Sequence, residues 1–405
     1  MKTSIFLEGL KIKLDKEKHT SIVVSSPDAT GNVFIPKFIE YKGMKYPIIS
    51  ISDRAFNDNK IESLTFAKDS EVRTFETLSF LFTSIKKLQI PPSLTNLQDN
   101  WYYNIKDLEK IEVSPENKNF RDYNNNQYLL GKSDENSESF NVLHLATFNI
   151  TEAQIPSDVQ IIKTNSFFKH DQISSVIFSE NSKLRIIERK SFSSSKNIQK
   201  LVLPSSVENI DSSNFDGLDS LFEVRISPNN NFYSIFEDKI LLTKSDKNSQ
   251  IFDCIVFCRR DIEELSIPSF IKKISEYSFC GCKKLKSLKF DESSSLEKIG
   301  RNAFMGCYSL CKLVVPSSVS DIDDKAFYAC EKLESAHFLA ENVVIPRYGL
   351  YKCSSLREIS FPNASYVDFT DDTSFFEIPA DCKVVVKNGA EIENLEGFGG
   401  QIVYI

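Results

Sequence analysis

The amino-acid sequence predicts a β-rich solenoid of about ten repeats of 22–25 residues, with a parallel β-sheet face, two inserted β-hairpins and β caps at both ends. The first observation behind this prediction is a large residue, here named the anchor, that recurs once per repeat: Phe56, Phe80, Tyr102, Phe167, Phe192, Phe215, Phe279, Phe304, Phe327 and Leu350. The second is a set of apolar residues at fixed distances from the anchor, such as Leu285, Leu288 and Phe290. Repeats of this kind form a core only by stacking on their neighbours, as solenoid repeats do.

A third observation, a longer period above the repeat, places the two inserts. Phe56 and Phe167 are 111 residues apart, and Phe167 and Phe279 are 112 apart, so a block of three repeats and one insert recurs. The inserts lie at about 114–154 and 227–266, and each begins with the pattern Ser-Pro-x-Asn. Each continues as an apolar stretch, a polar turn and another apolar stretch, which is typical of a β-hairpin.

The two ends of the chain fall outside the repeat. They contain short apolar stretches that are typical of strands, at residues 10–14, 22–24, 383–386 and 401–405. A solenoid needs caps that cover its terminal coils. The predicted organisation is therefore an N-terminal β-hairpin cap over 1–47, a solenoid over 48–362 and a C-terminal cap over 363–405.

Net charge and hydropathy limit the partners and the location expected for the protein. The net charge of -7 argues against a nucleic-acid partner, because binding to phosphates requires a basic surface. No window of 18 or more apolar residues is present, so membrane insertion is not expected. The apolar run of the first ten residues is short and is broken by Glu8, which does not fit a signal peptide and favours a cytoplasmic location. The sequence leaves the oligomeric state open.

Four of the nine cysteines share one position, the third after the anchor: Cys282, Cys307, Cys330 and Cys353. Earlier repeats carry Thr83, His170, Ser195 and Leu218 at this position, so it is interpreted as a core position that a small thiol fills. Disulfides or a metal site are the alternative, since Cys254 and Cys258 lie near each other. The spacings do not match those of zinc ribbons, and the cysteine redox state stays open.

The repeat pattern A-F-x-x-C-x-x-L-x-x-[IL]-x-[FLV]-P-x-x-[LV]-x-x-I, over about residues 48–362, resembles the BspA-like, Treponema pallidum-type leucine-rich repeat family. The stretch 33–51 is similar to the N-terminal cap of that family. The resemblance implies a β-rich leucine-rich-repeat solenoid. It also implies a surface antigen or adhesin of mucosal bacteria or parasitic protists, and hence a cell-surface or secreted location. The alternative is an intracellular leucine-rich-repeat scaffold with no adhesive role.

The outward positions of the predicted parallel strands form the candidate ligand-binding surface, named here the sheet face. Because side chains alternate along a strand, the register assigns these positions to Lys87, Gln89, Lys110, Glu112, Lys200, Glu223, Arg225, Lys289, Lys312, His337 and Glu358. Seven are Lys, Arg or His and three are Glu, which favours an acidic protein or glycan ligand. The alternative is that lysine is simply common on exposed strands, where it limits edge association.

Motifs for catalysis are not found in the sequence. The histidines His19, His144, His170 and His337 occur in unrelated contexts, with no His-Glu-x-x-His pattern and no nucleophile elbow. Asp321, Asp323 and Asp324 flank the inward residue Ile322 and lack the glycine and the distal glutamate of a calcium loop. The sequence therefore predicts a non-enzymatic binding protein with no catalytic residues, metal ligands or cofactors.

Overall fold

A computed structural model describes residues 3–246, 248–395 and 398–405. The chain forms two compact units. Unit 1 comprises Met1–Ile173 and Ile177–Ser195, and unit 2 comprises Ser174–Val176 and Lys196–Ile405. In the described residues, the regular structure is almost entirely β, with only two single-turn 3-10 helices at Ser212–Phe215 and Asp372–Phe375.

The strands that begin before residue 196 are short and follow one another closely. In chain order they are β1 (Thr3–Leu7), β2 (Leu10–Asp15), β3 (Thr20–Ser25), β4 (Thr30–Ile35), β5 (Phe38–Tyr41), β6 (Met44–Ile51), β7 (Lys60–Phe66), β8 (Thr74–Phe75), β9 (Lys87–Ile90), β10 (Asn96–Leu97), β11 (Lys110–Val113), β12 (Phe120–Tyr123), β13 (Tyr128–Gly131), β14 (Val142–Ala146), β15 (Glu152–Ile155), β16 (Ile161–Ile162), β17 (Ser175–Phe178) and β18 (Ile186–Ile187).

The remaining strands belong to unit 2. They are β19 (Lys200–Leu203), β20 (Asn209–Ile210), β21 (Glu223–Ile226), β22 (Tyr233–Phe236), β23 (Ile240–Thr243), β24 (Cys254–Cys258), β25 (Glu264–Ile267), β26 (Lys273–Ile274), β27 (Ser287–Phe290), β28 (Lys298–Ile299), β29 (Lys312–Val315), β30 (Asp321–Ile322), β31 (Ser335–Phe338), β32 (Asn342–Ile345), β33 (Glu358–Phe361), β34 (Tyr366–Phe369), β35 (Lys383–Val386), β36 (Glu391–Glu393) and β37 (Gln401–Tyr404).

Two parallel ladders over residues 20–113 of unit 1 confirm the predicted solenoid. One runs β11-β9-β7-β4, and the other contains β3, β6, β8 and β10. Each repeat therefore contributes one longer and one two-residue strand. The side chains alternate as predicted, since Leu88 and Ile90 are fully buried while Lys87 and Gln89 face outward. The short strands predicted near the N-terminus are present as β2 and β3.

Unit 2 contains a seven-stranded parallel sheet of order β25-β27-β29-β31-β33-β35-β37. The last two strands are the short strands predicted near residues 383 and 401, and they continue the parallel pairing beyond residue 362. The amide of Leu350 donates to the carbonyl of Ser374 at 3.1 Å, as the amide of Phe327 does to Gly349. Phe375 is thus one more anchor, and the repeat number is slightly larger than about ten. The domain limits at 47 and 363 stay predictions.

The anchors form stacked columns in the core. Phe304 lies between Phe279 and Phe327, with ring centroids 4.7 Å and 5.5 Å apart and the ring planes nearly parallel. All three rings are buried. Backbone hydrogen bonds also join most anchors to the next repeat, as from Phe279 N to Ala303 O at 2.8 Å. Aromatic stacking and the amide ladder together fix the distance between coils.

The predicted inserts are confirmed as antiparallel hairpins. In the first, β13 pairs with β12 and β14, and in the second, β23 pairs with β22 and β24. The final strand of each hairpin then pairs in parallel with the following repeat, β14 with β16 and β24 with β26. Each hairpin is therefore built into the ladder of two-residue strands.

The asparagine of each Ser-Pro-x-Asn pattern ties its insert to an earlier coil. The Asn230 side chain donates to Val207 O at 2.7 Å and accepts from the amides of Phe232 and Tyr233 at 2.8 Å. Asn117 makes the corresponding bonds in the first insert. The amide side chain supplies an NH2 donor for the carbonyl of the earlier coil and a carbonyl acceptor for the amides of its own insert. This explains why the pattern occurs at both branch points.

The position three residues after the anchor is a core position, as the cysteine pattern predicts, and in several repeats its residue also makes a hydrogen bond. The thiols of Cys307, Cys330 and Cys353 are buried and lie 3.3 Å to 3.4 Å from the carbonyl oxygens of the preceding anchors. Ser195 donates to Phe167 O at 2.6 Å from the same position. All nine cysteines are free thiols, and eight of them are buried. The interpretation of these four cysteines as core residues is confirmed.

His170 fills the same position and makes the stability of unit 1 dependent on pH. Its ring is buried, stacks on Phe148 at 3.9 Å and has Nε2 at 3.1 Å from Ala146 O. Burial lowers the pKa of His170 to about 4, although hydrogen bonds to backbone groups oppose the shift. Since the unfolded state binds the proton more tightly, stability is complete above pH ~6.5 and falls between pH ~6.5 and ~4.

We expect the free energy of unfolding to fall by about 2 kcal/mol from His170 alone between pH 6.5 and pH 5. Burial also lowers the pKa of His144, to about 3, so it adds to the slope. Replacing His170 with serine, the residue at the corresponding position 195, should reduce the slope. Urea unfolding at several pH values measures it, and an equal slope in H170S would contradict this assignment.

Candidate binding surface

The strands place every predicted residue of the sheet face at an outward position. Lys87, Gln89, Lys110 and Glu112 lie on β9 and β11 in unit 1. The remaining seven residues lie in unit 2, on β19, β21, β27, β29, β31 and β33. The parallel register aligns them in rows, for example Lys200 beside Glu223 and Lys312 beside Ser335. Their use in binding stays a prediction.

In unit 1, the charged residues of the sheet face form ion pairs with one another, and two lysines share one glutamate. Glu112 lies 2.8 Å from Lys87 Nζ and 2.6 Å from Lys110 Nζ. Partial burial raises the pKa of Glu112, but the hydrogen bonds to Lys110 and Lys87 lower it by more. Gln89 is occupied too, because its Oε1 accepts from Phe66 N at 2.7 Å. This part of the face therefore keeps a net charge of +1, and neither lysine is without a carboxylate partner.

In unit 2, the charged residues of β19 and β21 also form ion pairs with one another. Glu223 lies 3.3 Å from Lys200 Nζ and forms a second ion pair with Arg225 on its own strand. Further along the face, Glu358 lies 3.7 Å from His337 Nδ1. Burial first, and then Lys312, lower the pKa of His337, so the imidazole is neutral at pH 7. His337 therefore does not add to the positive charge that the sequence suggested.

Two lysines keep their charge uncompensated. Lys289 on β27 and Lys312 on β29 are exposed, and in the described part of the chain no carboxylate lies within ion-pair distance of either. The two strands are neighbours in the seven-stranded sheet. The positive character of the sheet face is thus concentrated at this pair, which the sequence could not distinguish from the other basic positions.

Ser360 departs from the predicted pattern. Strand alternation places it outward, yet it is only 6 % exposed. His337 and Val385 occupy the same row on the two adjacent strands. Because both are longer than serine, we infer that they cover it. The side chain of Ser360 is therefore not accessible on the sheet face.

A groove that the sequence did not reveal lies beside β21, where the second insert leaves the solenoid. Its volume is about 880 Å³, and its lining includes Phe222, Arg225, Tyr233, Phe252 and Arg259. Phe222 is 41 % exposed. The sequence carries one sign of this groove, because the turn of the second hairpin is shorter than the turn of the first.

A buried arginine fixes the last strand of this insert. Arg260 Nη2 donates to Phe215 O at 2.7 Å, and Nη1 donates to Ser278 O at 2.9 Å. Nη1 also lies 3.5 Å from Cys282 Sγ. Burial alone raises the pKa of Cys282, but the Cys258 thiol and the Arg260 guanidinium lower it to about 7. Cys282 is thus the thiol best placed to carry a negative charge beside Arg260.

Two further structural findings concern metals and membranes. Across residues 3–246, 248–395 and 398–405, no group of three or more His, Cys, Asp or Glu side chains is arranged to hold a metal ion. The two helices in this part of the chain have four residues each and could not cross a membrane.

A parallel strand in each repeat, a column of buried anchors and hairpins built into the ladder define a leucine-rich repeat solenoid. The chain belongs to the family described as BspA type Leucine rich repeat region, whose model matches residues 38–128, 141–247 and 250–377 in six copies. No curated protein matches the chain at a significant level.

Two solved structures share the fold. The pneumococcal vaccine antigen PcpA is 19 % identical over 100 % of this chain and 98 % of its own, with a TM-score of 0.50. A leucine rich cell surface protein from Faecalibacterium prausnitzii A2-165 is 15 % identical over 89 % of this chain and 94 % of its own, also with a TM-score of 0.50. At these identities, the likeness concerns the fold.

Proposed function

We propose that the protein is a non-catalytic binding protein that holds an acidic protein segment or glycan on the sheet face of unit 2. The observation that carries the proposal is the pair Lys289 and Lys312, exposed on adjacent strands and without a carboxylate partner in the described residues. Every other cation of the sheet face is ion-paired with a glutamate that it shares with a second cation or, as with His337, is uncharged at pH 7. An acidic ligand would gain most at this pair.

The proposal includes display at the cell surface as an antigen or adhesin. The pneumococcal vaccine antigen and the leucine rich cell surface protein share the fold and support this part. Antibody staining of intact, unpermeabilised cells tests it. Staining only after permeabilisation would instead favour the intracellular scaffold.

The charge pair is tested by titrating a fluorescent poly-glutamate peptide and a heparin oligosaccharide onto the whole chain. We expect the K289E/K312E variant to bind at least one probe about tenfold more weakly or worse, a change of roughly 1.4 kcal/mol. Binding to the unmodified chain should also weaken with salt, as expected for exposed charges.

The matched control is K283E/K286E, which changes the net charge equally. Lys283 pairs with Asp219 and Lys286 with Glu263, and neither lysine lies on a strand of the sheet face. This variant should bind almost as the unmodified chain does. Equal losses in both variants would indicate a general charge effect and contradict the proposed site. Failure of both probes to bind the unmodified chain would contradict an acidic ligand.

A further inference from the structure

Strand β21 has an unpaired edge. It is the last strand of its parallel sheet, with β19 on one side and, in the described part of the chain, no paired strand on the other. Alternate residues of a parallel strand direct their amides to opposite sides. Glu223 N donates to Gln199 O beside β19, so the amides of Val224 and Ile226 point to the unpaired side.

The first insert shows how the chain satisfies such an edge. There, β11 is the equivalent last strand, and its amides at Ile111 and Val113 point away from β9. Ile111 N donates to Asn126 O at 2.9 Å. Val113 N donates to the Asp122 carboxylate at 2.8 Å. The first hairpin thus caps the edge of β11 with one backbone carbonyl from its turn and one side-chain carboxylate.

The second insert lacks both acceptors. Asp122 is the third residue of β12, and the third residue of β22 is Ile235, which has no side-chain acceptor. The turn between β22 and β23 has three residues, 237–239, whereas that between β12 and β13 has four, 124–127. The Asp238 carbonyl accepts instead from Arg259 Nη1 at 3.3 Å. Among the described residues we find no acceptor for Val224 N or Ile226 N.

The uncapped edge forms one side of the groove of about 880 Å³. Phe222 and Phe252 supply its aromatic lining. Both of its arginines are already ion-paired: Arg225 pairs with Glu223, and Arg259 makes two bonds to Asp261 at 3.0 Å and 2.7 Å. The groove therefore offers unpaired backbone groups and aromatic surface, and its ligand need not be charged.

We propose that this groove binds an extended peptide segment of a partner protein, which adds to β21 as a further strand. Backbone carbonyls of the peptide accept from Val224 N and Ile226 N, in the places that Asn126 O and Asp122 take in the first insert. An apolar side chain of the peptide packs against Phe222 and Phe252. Strand addition of this kind derives affinity from main-chain hydrogen bonds and selectivity from alternate side chains. It does not depend on the proposed use of the sheet face.

The test uses the whole chain and a fluorescein-labelled hexapeptide of alternating threonine and valine. We expect binding by fluorescence anisotropy below about 1 mM, a weak but measurable affinity. In I235D, a carboxylate replaces the missing cap, so binding should weaken about tenfold or more, as expected when a competitor occupies the donor. The matched control I235V keeps an apolar side chain and should bind as the unmodified chain does. A thermal melt establishes that both variants fold.

Two further measurements test the proposed peptide binding on the unmodified chain. The same hexapeptide N-methylated at every residue has no backbone N-H group left to donate along either edge and should fail to bind the unmodified chain. Amide hydrogen exchange at Val224 and Ile226 should be faster than at Ile111 and Val113, and should slow when the hexapeptide is added.

Three results would overturn the proposal. One is the absence of hexapeptide binding, and another is equal binding of the N-methylated peptide or of I235D. The third is protection of Val224 and Ile226 that rises with protein concentration in the absence of peptide. That result would identify a second copy of the chain as the occupant of the edge.

Discussion

Replacing Phe304 with alanine should lower the free energy of unfolding by about 3–5 kcal/mol, the range found for buried phenylalanine truncations. The Phe304 ring is 0 % exposed and is stacked between Phe279 and Phe327. Removing it leaves a cavity between two coils that backbone hydrogen bonds hold at a fixed distance. Neither coil can close the cavity without breaking those bonds, so little relaxation is expected.

The control for this prediction is Tyr308, an aromatic residue of the same repeat. Its side chain is 39 % exposed and lies outside the anchor column. Y308A should cost less than about 1 kcal/mol, as most surface substitutions do. Guanidinium unfolding followed by circular dichroism measures both variants. Similar losses in F304A and Y308A would show that the anchors do not carry the stability of the stack.

Replacing Arg260 with methionine should destabilise unit 2 by about 2–6 kcal/mol, since each buried carbonyl left without a donor costs about 1–3 kcal/mol. The two carbonyls with the shortest bonds to Arg260 are those of Phe215 and Ser278. Methionine fills a similar volume but donates no hydrogen bond. The loss should therefore come from the carbonyls and not from a cavity.

The adjacent Arg259 provides the matched control. Its guanidinium is partly exposed and bonds to Asp261 on the surface. R259M should cost no more than about 1 kcal/mol, the value typical of exposed ion pairs. Urea unfolding curves compare the two variants. A loss in R260M as small as that in R259M would mean that water replaces the guanidinium, and would contradict the role assigned to Arg260.

The period of the repeat predicted most of the fold. An anchor such as Phe304, within the pattern A-F-x-x-C, can be read from the sequence because the same side chain must fill the same core position in every coil. Phe375 escaped detection because Asp381 lies six positions after it, where most repeats carry an apolar residue, although the backbone bond from Leu350 N to Ser374 O is the usual one. The structure therefore shows that the parallel ladder continues into a part of the chain where the sequence repeat can no longer be recognised.

The candidate site was less predictable for a physical reason. Strand alternation identified Lys289 and Lys312 as outward residues, together with Lys87 and Lys110. Which cations remain uncompensated depends on contacts between coils, such as that of Glu112 with both Lys87 and Lys110. Those contacts follow from side-chain conformations that the sequence period does not specify.

A comparison of the two inserts in the sequence shows the differences that accompany the open edge of β21, but not the edge itself. Asp122 in the first insert corresponds to Ile235 in the second, and the first turn is one residue longer. Without the hydrogen bond from Val113 N to Asp122, however, nothing indicates that these differences matter. The structure supplies that link.

The most direct test of the central claim is lysine acetylation, followed by mass spectrometry, with and without the poly-glutamate peptide. The account predicts that the peptide slows acetylation of Lys289 and Lys312 and leaves Lys283 and Lys286 unchanged. Protection confined to lysines outside the sheet face, or protection spread evenly over the surface, would contradict it.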